Sequence, residues 1–272
     1  MVHLKLVASL ILRNENDRFL KPCVESLQTF CDEIRAVDDN SNDGSYQTLQ
    51  NMGVEVVRNN RSMFYEHEGR ARQRLLEWTM EGNPTHVLAI DADEFVADGQ
   101  ALRAALEAPT PMPTAQERRQ RRALPAVGVW GLQMQEIWGA GEEWLSVRQD
   151  GGWKEHPVPI VFAVPTMNRQ TVRHWRIPDM ALACPRVPTE VAARSNRGHS
   201  PAVTQLLHFG WACESDRHER HHRYVVHDGG AHHASKHLDS IMWVDRRVLQ
   251  TRRAWPESLV AAKPGLLERI NR

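Results

Sequence analysis

The stretch HVLAIDADEF, residues His86–Phe95, joins an apolar segment to a dense group of carboxylates. Residues 87–90 are apolar and partly β-branched, which predicts a buried strand. Asp91, Asp93 and Glu94 follow at the strand end. A hydrophobic core cannot hold that much charge, whereas solvent or a hard divalent cation can. An acidic turn without a ligand is the alternative interpretation of an isolated Asp-x-Asp.

Apolar and amphipathic segments alternate through the first hundred residues. The patterns predict strands at 4–12, 34–37, 54–57 and 87–90. Helices are expected between them, beginning with one that Asp17 caps and including 45–52 and 66–80. This alternation, with short connections, predicts an α/β fold with a Rossmann-like, mainly parallel sheet and helices on both faces.

Polar residues follow three of the predicted strands. Arg13 and Glu15 follow the first, Asp39 the second, and Asp91 and Asp93 the fourth. In sheets of this kind, ligands bind beyond the carboxyl ends of the strands. The sequence contains neither a GxGxxG motif after the first strand nor GxxxxGK[ST], which disfavours a Rossmann dehydrogenase or a P-loop enzyme. The ligand that these residues still favour is a nucleotide held by carboxylates and a metal ion.

The pattern changes after residue 126. Strands are predicted at 127–137, 144–148, 158–164 and 205–211, which indicates an antiparallel extension of the sheet. Helices are predicted at 214–227 and 258–270. We expect residues 1–100 to form a donor-binding half and residues 101–272 an acceptor-binding half with C-terminal helices, in one continuous domain. Three tryptophans flank the predicted turns of this half: Trp138, Trp144 and Trp153. Each of them either fills the core or lines an acceptor cleft.

Two polar segments carry charge without a specific motif. Residues 109–125 are rich in proline and arginine, which predicts a solvated loop, with contact to an anionic acceptor as the alternative. Histidines are frequent in 218–237, but no Cys or carboxylate partner stands at a recognisable zinc spacing. Surface histidines are therefore the expected interpretation.

Composition excludes several classes of protein. The chain has 272 residues, with 34 basic and 34 acidic side chains, so its net charge does not favour nucleic acid as a partner. The longest apolar run, 6–12, is too short to span a membrane and lacks a cleavage site after it. The four cysteines show no metal spacing. We expect a cytoplasmic protein with reduced thiols and no stable membrane insertion.

Four motifs together resemble the donor-binding half of family-two glycosyltransferases, which have the GT-A fold. They are Leu10–Glu15, Val37–Gly44, Glu68–Arg72 and Ile90–Phe95, and they stand in this order at the predicted strand ends. The stretch Leu207–Trp211 is similar to a C-terminal His motif of some relatives. The resemblance covers about the first 100 residues and is vague beyond them, apart from this motif.

The resemblance implies a set of contacts with a nucleotide-sugar donor. Asp39 corresponds to the carboxylate that hydrogen-bonds the base, and Arg13 would lie against the nucleotide. Arg70 or Arg72 would face the pyrophosphate; an ion pair with Glu68 is the alternative for Arg72. The implied donor-binding set is Leu12, Arg13, Glu15, Asp39, Arg70, Arg72 and Asp91.

The resemblance also implies a metal site. Asp93 corresponds to a direct ligand of Mn²⁺ or Mg²⁺, and Asp91 would reach the ribose or a metal-bound water. His208 would add a ligand or a diphosphate contact, with a satisfied core histidine as the alternative. A divalent ion stabilises the charge that develops on a departing diphosphate, and such hard ions prefer carboxylate and phosphate oxygens.

The general base is the least defined part of the predicted site. Inversion at the anomeric carbon, with which this family is associated, needs a base on the acceptor side. The Glu-Asp pair that often marks this base in relatives is not found here. Asp179 is the first candidate and Glu136 the second, and the stereochemical outcome stays open.

These observations predict a metal-dependent glycosyltransferase that uses a nucleotide sugar, UDP-linked in preference to GDP-linked. The acceptor is open among proteins, glycans, lipid-linked sugars, small metabolites and modified DNA bases. One alternative is a sugar-phosphate nucleotidyltransferase, although the glycine-rich basic loop usual after its first strand is missing. The other is a non-catalytic carbohydrate-binding protein in which the tryptophans bind and the acids are structural.

Overall fold

The computed structural model describes most of the chain, and the account below concerns these residues. The described ranges are 3–64, 67–108, 128–150, 156–165, 173–180, 185–194, 203–227, 240–242 and 250–271. The predicted loop at 109–125, Trp153 and the part of the His-rich segment after residue 227 lie outside them.

One mixed sheet organises the described residues. The strands are β1 (Leu6–Leu12), β2 (Glu33–Asp38), β3 (Glu55–Arg58), β4 (His86–Asp91), β5 (Glu94–Val96), β6 (Val129–Ala140), β7 (Trp144–Arg148), β8 (His156–Ala163), β9 (Gln205–His208) and β10 (Gln250–Ala254). Their order in the sheet is β10-β7-β6-β8-β4-β1-β2-β3, and β9 pairs with both β5 and β6.

The parallel half of the sheet consists of β3, β2, β1 and β4. Every residue of β1 is buried, as expected of a central strand covered on both faces. The helices are α1 (Leu20–Gln28), α2 (Ser45–Asn51), α3 (Glu68–Glu81), α4 (Gly99–Glu107), α5 (Thr189–Arg194), α6 (Glu214–His227) and α7 (Lys263–Ile270). Alternate side chains leave β1 on opposite faces of the sheet: Leu10 packs in the hydrophobic cluster that includes α1, and Ile11 packs in the cluster that includes α3.

The antiparallel half continues the sheet from β4. Strand β8 pairs antiparallel with β4, and β6, β7 and β10 extend the sheet outward by antiparallel pairing. Strand β9 lies parallel to β6 and antiparallel to β5. It thereby returns the last third of the chain to the carboxylate turn after β4.

The predicted α/β class with an antiparallel extension is confirmed. Several local predictions were wrong: α1 has no side-chain cap from Asp17, β9 ends at His208, and the last helix begins at Lys263. The short β5, the polar β10 and α5 were not predicted. None of the helices in the described ranges combines the length and apolarity of a membrane span.

Candidate active site

Strand register brings the predicted site residues to one edge of the sheet. Asp91 lies opposite Ile11 across β4 and β1, and Asp38 lies opposite Leu12 across β2 and β1. The Asp93 carbonyl accepts a hydrogen bond from the Phe209 backbone N–H at 2.8 Å, which attaches the end of β9 to the carboxylate turn. The carboxyl ends of β1, β2 and β4 therefore meet the end of β9.

His208 stands between two carboxylates at this edge. Its Nδ1 lies 2.5 Å from Glu136 Oε2, and its Nε2 lies 3.6 Å from Asp93 Oδ2. Asp93 Oδ2 also accepts a hydrogen bond from the Arg220 guanidinium on α6. All four side chains are at most 13% exposed, so these charges interact in a low-dielectric environment.

The electrostatics of these groups follow from burial and pairing. Burial opposes protonation of His208, but Glu136 and Asp93 outweigh it and hold the pKa of the imidazole well above its usual value. Burial likewise disfavours the Asp93 carboxylate, yet Arg220 and His208 hold the pKa of Asp93 well below its usual range. Asp93 is thus an anion and His208 a cation at neutral pH.

Asp91 has different partners from Asp93. Its carboxylate accepts from Arg72 at 3.2 and 3.3 Å and from Arg186 at 2.9 Å. Arg186 also binds both oxygens of Glu94, and Arg72 pairs with Glu68 at 2.6 Å. Burial disfavours the Asp91 anion, but the two guanidinium groups lower its pKa. Arg72 therefore pairs with Glu68, the alternative for this residue, and with Asp91 as well, while its contact with the pyrophosphate stays a prediction.

Glu15 belongs to a group of buried charged residues close to Asp93. Its Oε1 pairs with Arg18 at 2.9 Å, and Arg18 reaches Asp216 of α6 at 3.1 Å. Glu15 Oε2 is buried and has no hydrogen-bond partner. Burial raises the pKa of Glu15 to about 8, although Arg18 opposes that shift. Burial therefore favours the neutral form of Glu15, which lowers the cost of leaving Oε2 without a hydrogen-bond partner.

Asp39 holds together the loop that follows β3. Its two oxygens accept hydrogen bonds from Asn59 Nδ2 and Ser62 Oγ, both at 2.6 Å, and from the backbone N–H groups of Met63 and Phe64. Arg13 donates to the same Ser62 hydroxyl at 2.5 Å. Asp39, Arg13 and the end of β1 at Leu12 are thus adjacent, but the Asp39 carboxylate is already saturated. A contact with the donor base stays a prediction that requires the loop to give up one of these bonds.

We expect Asp39→Asn to lower the free energy of unfolding by about 1–3 kcal/mol, the cost of leaving a buried donor unpaired. The amide nitrogen of asparagine would face the Met63 or Phe64 N–H group, and two donors cannot pair. Urea unfolding measures the change, with exposed Asp17→Asn as a control expected to stay within about 0.5 kcal/mol. An unchanged stability would contradict this structural role and leave the base contact as the function of Asp39.

Asp179, the first candidate for the base, lies against the start of α3. Its carboxylate pairs with Arg70 at 2.7 Å and lies 3.4 Å from His67 Nδ1. Gly69 permits this packing, because a Cβ there would lie 2.0 Å from the Pro178 carbonyl oxygen. Asp179 is 42% exposed, in contrast to the buried Asp93. Asp179 is therefore exposed at the start of α3, and Arg70 is bound to it, whereas Arg72 contacts Asp91.

Two other features lie away from this edge or inside the core. A cavity of about 850 Å³ opens beside Lys5, Thr85 and Trp175, near the amino ends of β1 and β4, and none of the predicted site residues lines it.

Trp138 is buried and stacks on Trp211 with ring centroids 6.3 Å apart. Trp138 therefore contributes to the core.

The donor set fits a metal ion that is shared with a diphosphate. Within the described ranges, no group of three or more His, Cys, Asp or Glu side chains is placed to hold a metal by itself. Nucleotide-bound Mg²⁺ needs fewer protein ligands, because one or two carboxylates and the substrate phosphates complete its shell. Asp93 Oδ2 and His208 Nε2 face each other at 3.6 Å, and a metal ion held by these two atoms would take the place of the imidazolium proton on Nε2.

Three arginines of the site were not found from the sequence. Arg186 and Arg220 contact the two aspartates of the carboxylate turn, and Arg18 pairs with Glu15. Arg220 is 127 residues from Asp93 in sequence and Arg186 is 95 from Asp91. Arg18 alone had a local signal, its position three residues after Glu15 in the loop beyond β1.

Comparisons with known proteins find likenesses only among solved structures. No protein-family model matches the chain, and no curated protein matches it. A mannosyltransferase from Pyrobaculum calidifontis, in complex with GDP-Man and Mn²⁺, is 14% identical, with 98% of this chain and 73% of that chain covered and a TM-score of 0.47. TarS 1–349 from S. aureus, in complex with UDP, is 15% identical, with 88% and 70% covered and a TM-score of 0.45.

A third likeness spans much less of both proteins. Glucosyl-3-phosphoglycerate synthase from Mycobacterium tuberculosis, in complex with Mn²⁺, UDP and glucosyl-3-phosphoglycerate, is 21% identical with a TM-score of 0.29. The match covers 34% of this chain and 34% of the synthase. At these values the likenesses do not assign the chain to a family.

Proposed function

We propose that this protein is a metal-dependent glycosyltransferase that moves a sugar from a nucleotide donor, UDP-linked in preference to GDP-linked, to an acceptor. The observation that carries the proposal is the arrangement at the strand ends. The Asp93 carboxylate and the His208 ring face each other across 3.6 Å. Three arginines contact the aspartates of the same turn: Arg72, Arg186 and Arg220. Cations and carboxylates placed together in this way suit a diphosphate that shares a divalent ion with the protein.

The two aspartates have separate roles in this proposal. Asp93 and His208 would hold Mn²⁺ or Mg²⁺, which when bound supplies a Lewis acid that stabilises negative charge on the leaving diphosphate. Asp91 is held by Arg72 and Arg186, which leaves it suited to contact the ribose. Arg220 now donates to Asp93 and, when an ion takes that position, is close enough to turn toward the diphosphate.

Asp179 is our proposed general base. Its exposed carboxylate accepts from Arg70 at the start of α3, the helix that also carries Arg72 to Asp91. A base on the solvent side of the donor can accept a proton from an acceptor hydroxyl as that hydroxyl attacks the anomeric carbon. This arrangement supports inversion. The buried Glu136 is less suited to the role, because His208 occupies its carboxylate.

Four buried tryptophans do not favour a carbohydrate-binding function without catalysis. Trp130, Trp138, Trp175 and Trp211 are each at most 8% exposed, so their faces do not form an accessible platform for sugar rings. The buried charges at the strand ends would also cost stability without a role, since apolar packing serves a core at least as well.

Metal-dependent release of a nucleoside diphosphate tests the proposed function. Glycosyltransferases of this kind transfer the sugar slowly to water, so we expect the protein to release UDP from a UDP-sugar when Mn²⁺ is present. A chelator should stop this release. His208→Ala should abolish the metal-dependent part. Arg103→Ala, which removes a pair with Asp32 at the amino end of β2, should not. Pyrophosphate release from a nucleoside triphosphate and a sugar phosphate would instead indicate a nucleotidyltransferase. Glycan binding without metal or nucleotide would indicate a binding protein.

A further inference from the structure

Glu136 and His208 are fixed opposite each other by the pairing of their strands. Strands β6 and β9 run parallel, and their register places Glu136 directly beside His208. Strand β5 holds β9 from the other side, with Glu94 beside His208. Because backbone hydrogen bonds set both registers, the Glu136 carboxylate and the His208 ring are held at one separation. The resulting contact, Oε2 to Nδ1 at 2.5 Å, is largely buried.

The opposite nitrogen of the ring lies beside the Gly210 backbone and the Arg220 guanidinium. A Cβ at Gly210 would lie 2.5 Å from His208 Nε2 and 2.7 Å from Arg220 Cζ. Any other residue at position 210 would therefore displace the imidazole or the guanidinium. The lack of a side chain at position 210 therefore lets the imidazole stand where its Nε2 faces Asp93 at 3.6 Å.

We propose that Glu136 is a positioning residue that orients the His208 ring so that Nε2, and not Nδ1, binds the metal ion. The inference rests on the proposed function and deepens it, because it assigns to Glu136 the role of orienting the metal ligand His208. Histidines that bind metals commonly donate their other ring N–H to a carboxylate, which fixes the tautomer and makes the ligand more basic. Glu136 meets that requirement on the Nδ1 side, while Asp93 stands on the Nε2 side.

Glu136 acts through His208 and touches neither donor nor acceptor in this assignment. Its carboxylate is 7% exposed. A general base would have to reach an acceptor hydroxyl directly. The two roles therefore differ in what a substitution changes: the positioning role predicts a loss of metal affinity, whereas the base role predicts a slower transfer at unchanged metal affinity.

Mn²⁺ affinity measured with saturating UDP tests the assignment. We expect Glu136→Gln to weaken Mn²⁺ binding about 10-fold and Glu136→Leu up to about 100-fold, the range for losing the group behind a metal ligand. Glutamine still accepts the Nδ1–H bond, which is why its effect is smaller. UDP affinity without metal should stay unchanged. Glu142→Gln removes the same charge from the exposed turn after β6 and serves as the matched control.

A measurement on the unsubstituted protein covers the case in which the variants do not fold. ¹⁵N resonances of the His208 ring in the presence of UDP and diamagnetic Mg²⁺ should show protonated Nδ1 and a metal-perturbed Nε2. Wild-type Mn²⁺ affinity in both Glu136 variants, or a metal-perturbed Nδ1, would overturn the assignment and leave the proposed function standing. Absence of any metal-dependent UDP binding by the wild type would overturn both.

Discussion

Asp93→Asn is expected to lower metal-dependent release of nucleoside diphosphate by about 10²–10³-fold, the loss that follows when charge on a leaving group is no longer stabilised. Asparagine keeps the size of the side chain and offers an amide oxygen to Arg220, but it lacks the negative charge that a divalent cation needs. Of this pair, only His208 Nε2 would then remain to bind the ion. The effect should appear as lost Mn²⁺ affinity in calorimetry with UDP.

The matched control for this substitution is Asp32→Asn. Asp32 pairs with Arg103 at the amino end of β2, the edge opposite the site, so the same change of charge should leave release unaffected. Thermal unfolding of both variants separates a local loss of function from a loss of fold. Wild-type Mn²⁺ affinity in folded Asp93→Asn would remove Asp93 from the metal site and with it the basis of the proposed function.

The part of the fold that sequence patterns predicted is the part whose signal is local. Strand β1 is apolar apart from Ser9, and β4 carries an apolar run, 87–90, that ends in Asp91, so each is recognisable without its neighbours. Strand β10 has the sequence QTRRA, and its polar residues form a strand only because β7 offers an edge to pair with. Strand β5 has three residues, too few for any period to be detected.

The candidate site divides in the same way. Asp91 and Asp93 were predicted because they stand at a strand end, where polar residues are unexpected unless they bind something. Their partners Arg186 and Arg220 come from segments in which arginine is ordinary surface composition, and only the folded chain places them on the carboxylates. The contact between Glu136 and His208 likewise joins residues 72 positions apart. Sequence spacing carries no information about such a contact.

Asp39 illustrates a different limit. Its position after β2 was predicted, but the five hydrogen bonds it accepts depend on the path of residues 59–64, which no pattern specifies. A polar residue at the end of a predicted strand therefore indicates where a site lies. It does not indicate which groups that side chain contacts.

Arg186→Ala is expected to lower the free energy of unfolding by about 3–5 kcal/mol, the cost of removing one partner from a buried ion pair. Arg186 binds both oxygens of Glu94 and one of Asp91, and the Glu94 side chain is fully buried. Burial raises the pKa of Glu94 even with the arginine present, which shows how poorly this position tolerates an unpaired anion. Arg103→Ala, at a more exposed pair, should cost only about 0–1 kcal/mol in the same urea titration.

A double-mutant cycle distinguishes charge pairing from lost packing. Glu94→Gln removes the buried charge, so Arg186→Ala in that background should cost less than in the wild type, by more than the few tenths expected of independent sites. Equal costs in both backgrounds would mean that Arg186 does not stabilise the protein through charge pairing with Glu94. Coupling of the predicted size would mean that a residue from the last third of the chain holds the carboxylate turn of the first hundred residues in place. The geometry of Asp91 would then depend on both parts of the chain, and donor contacts would be sensitive to substitutions far from β4 in sequence.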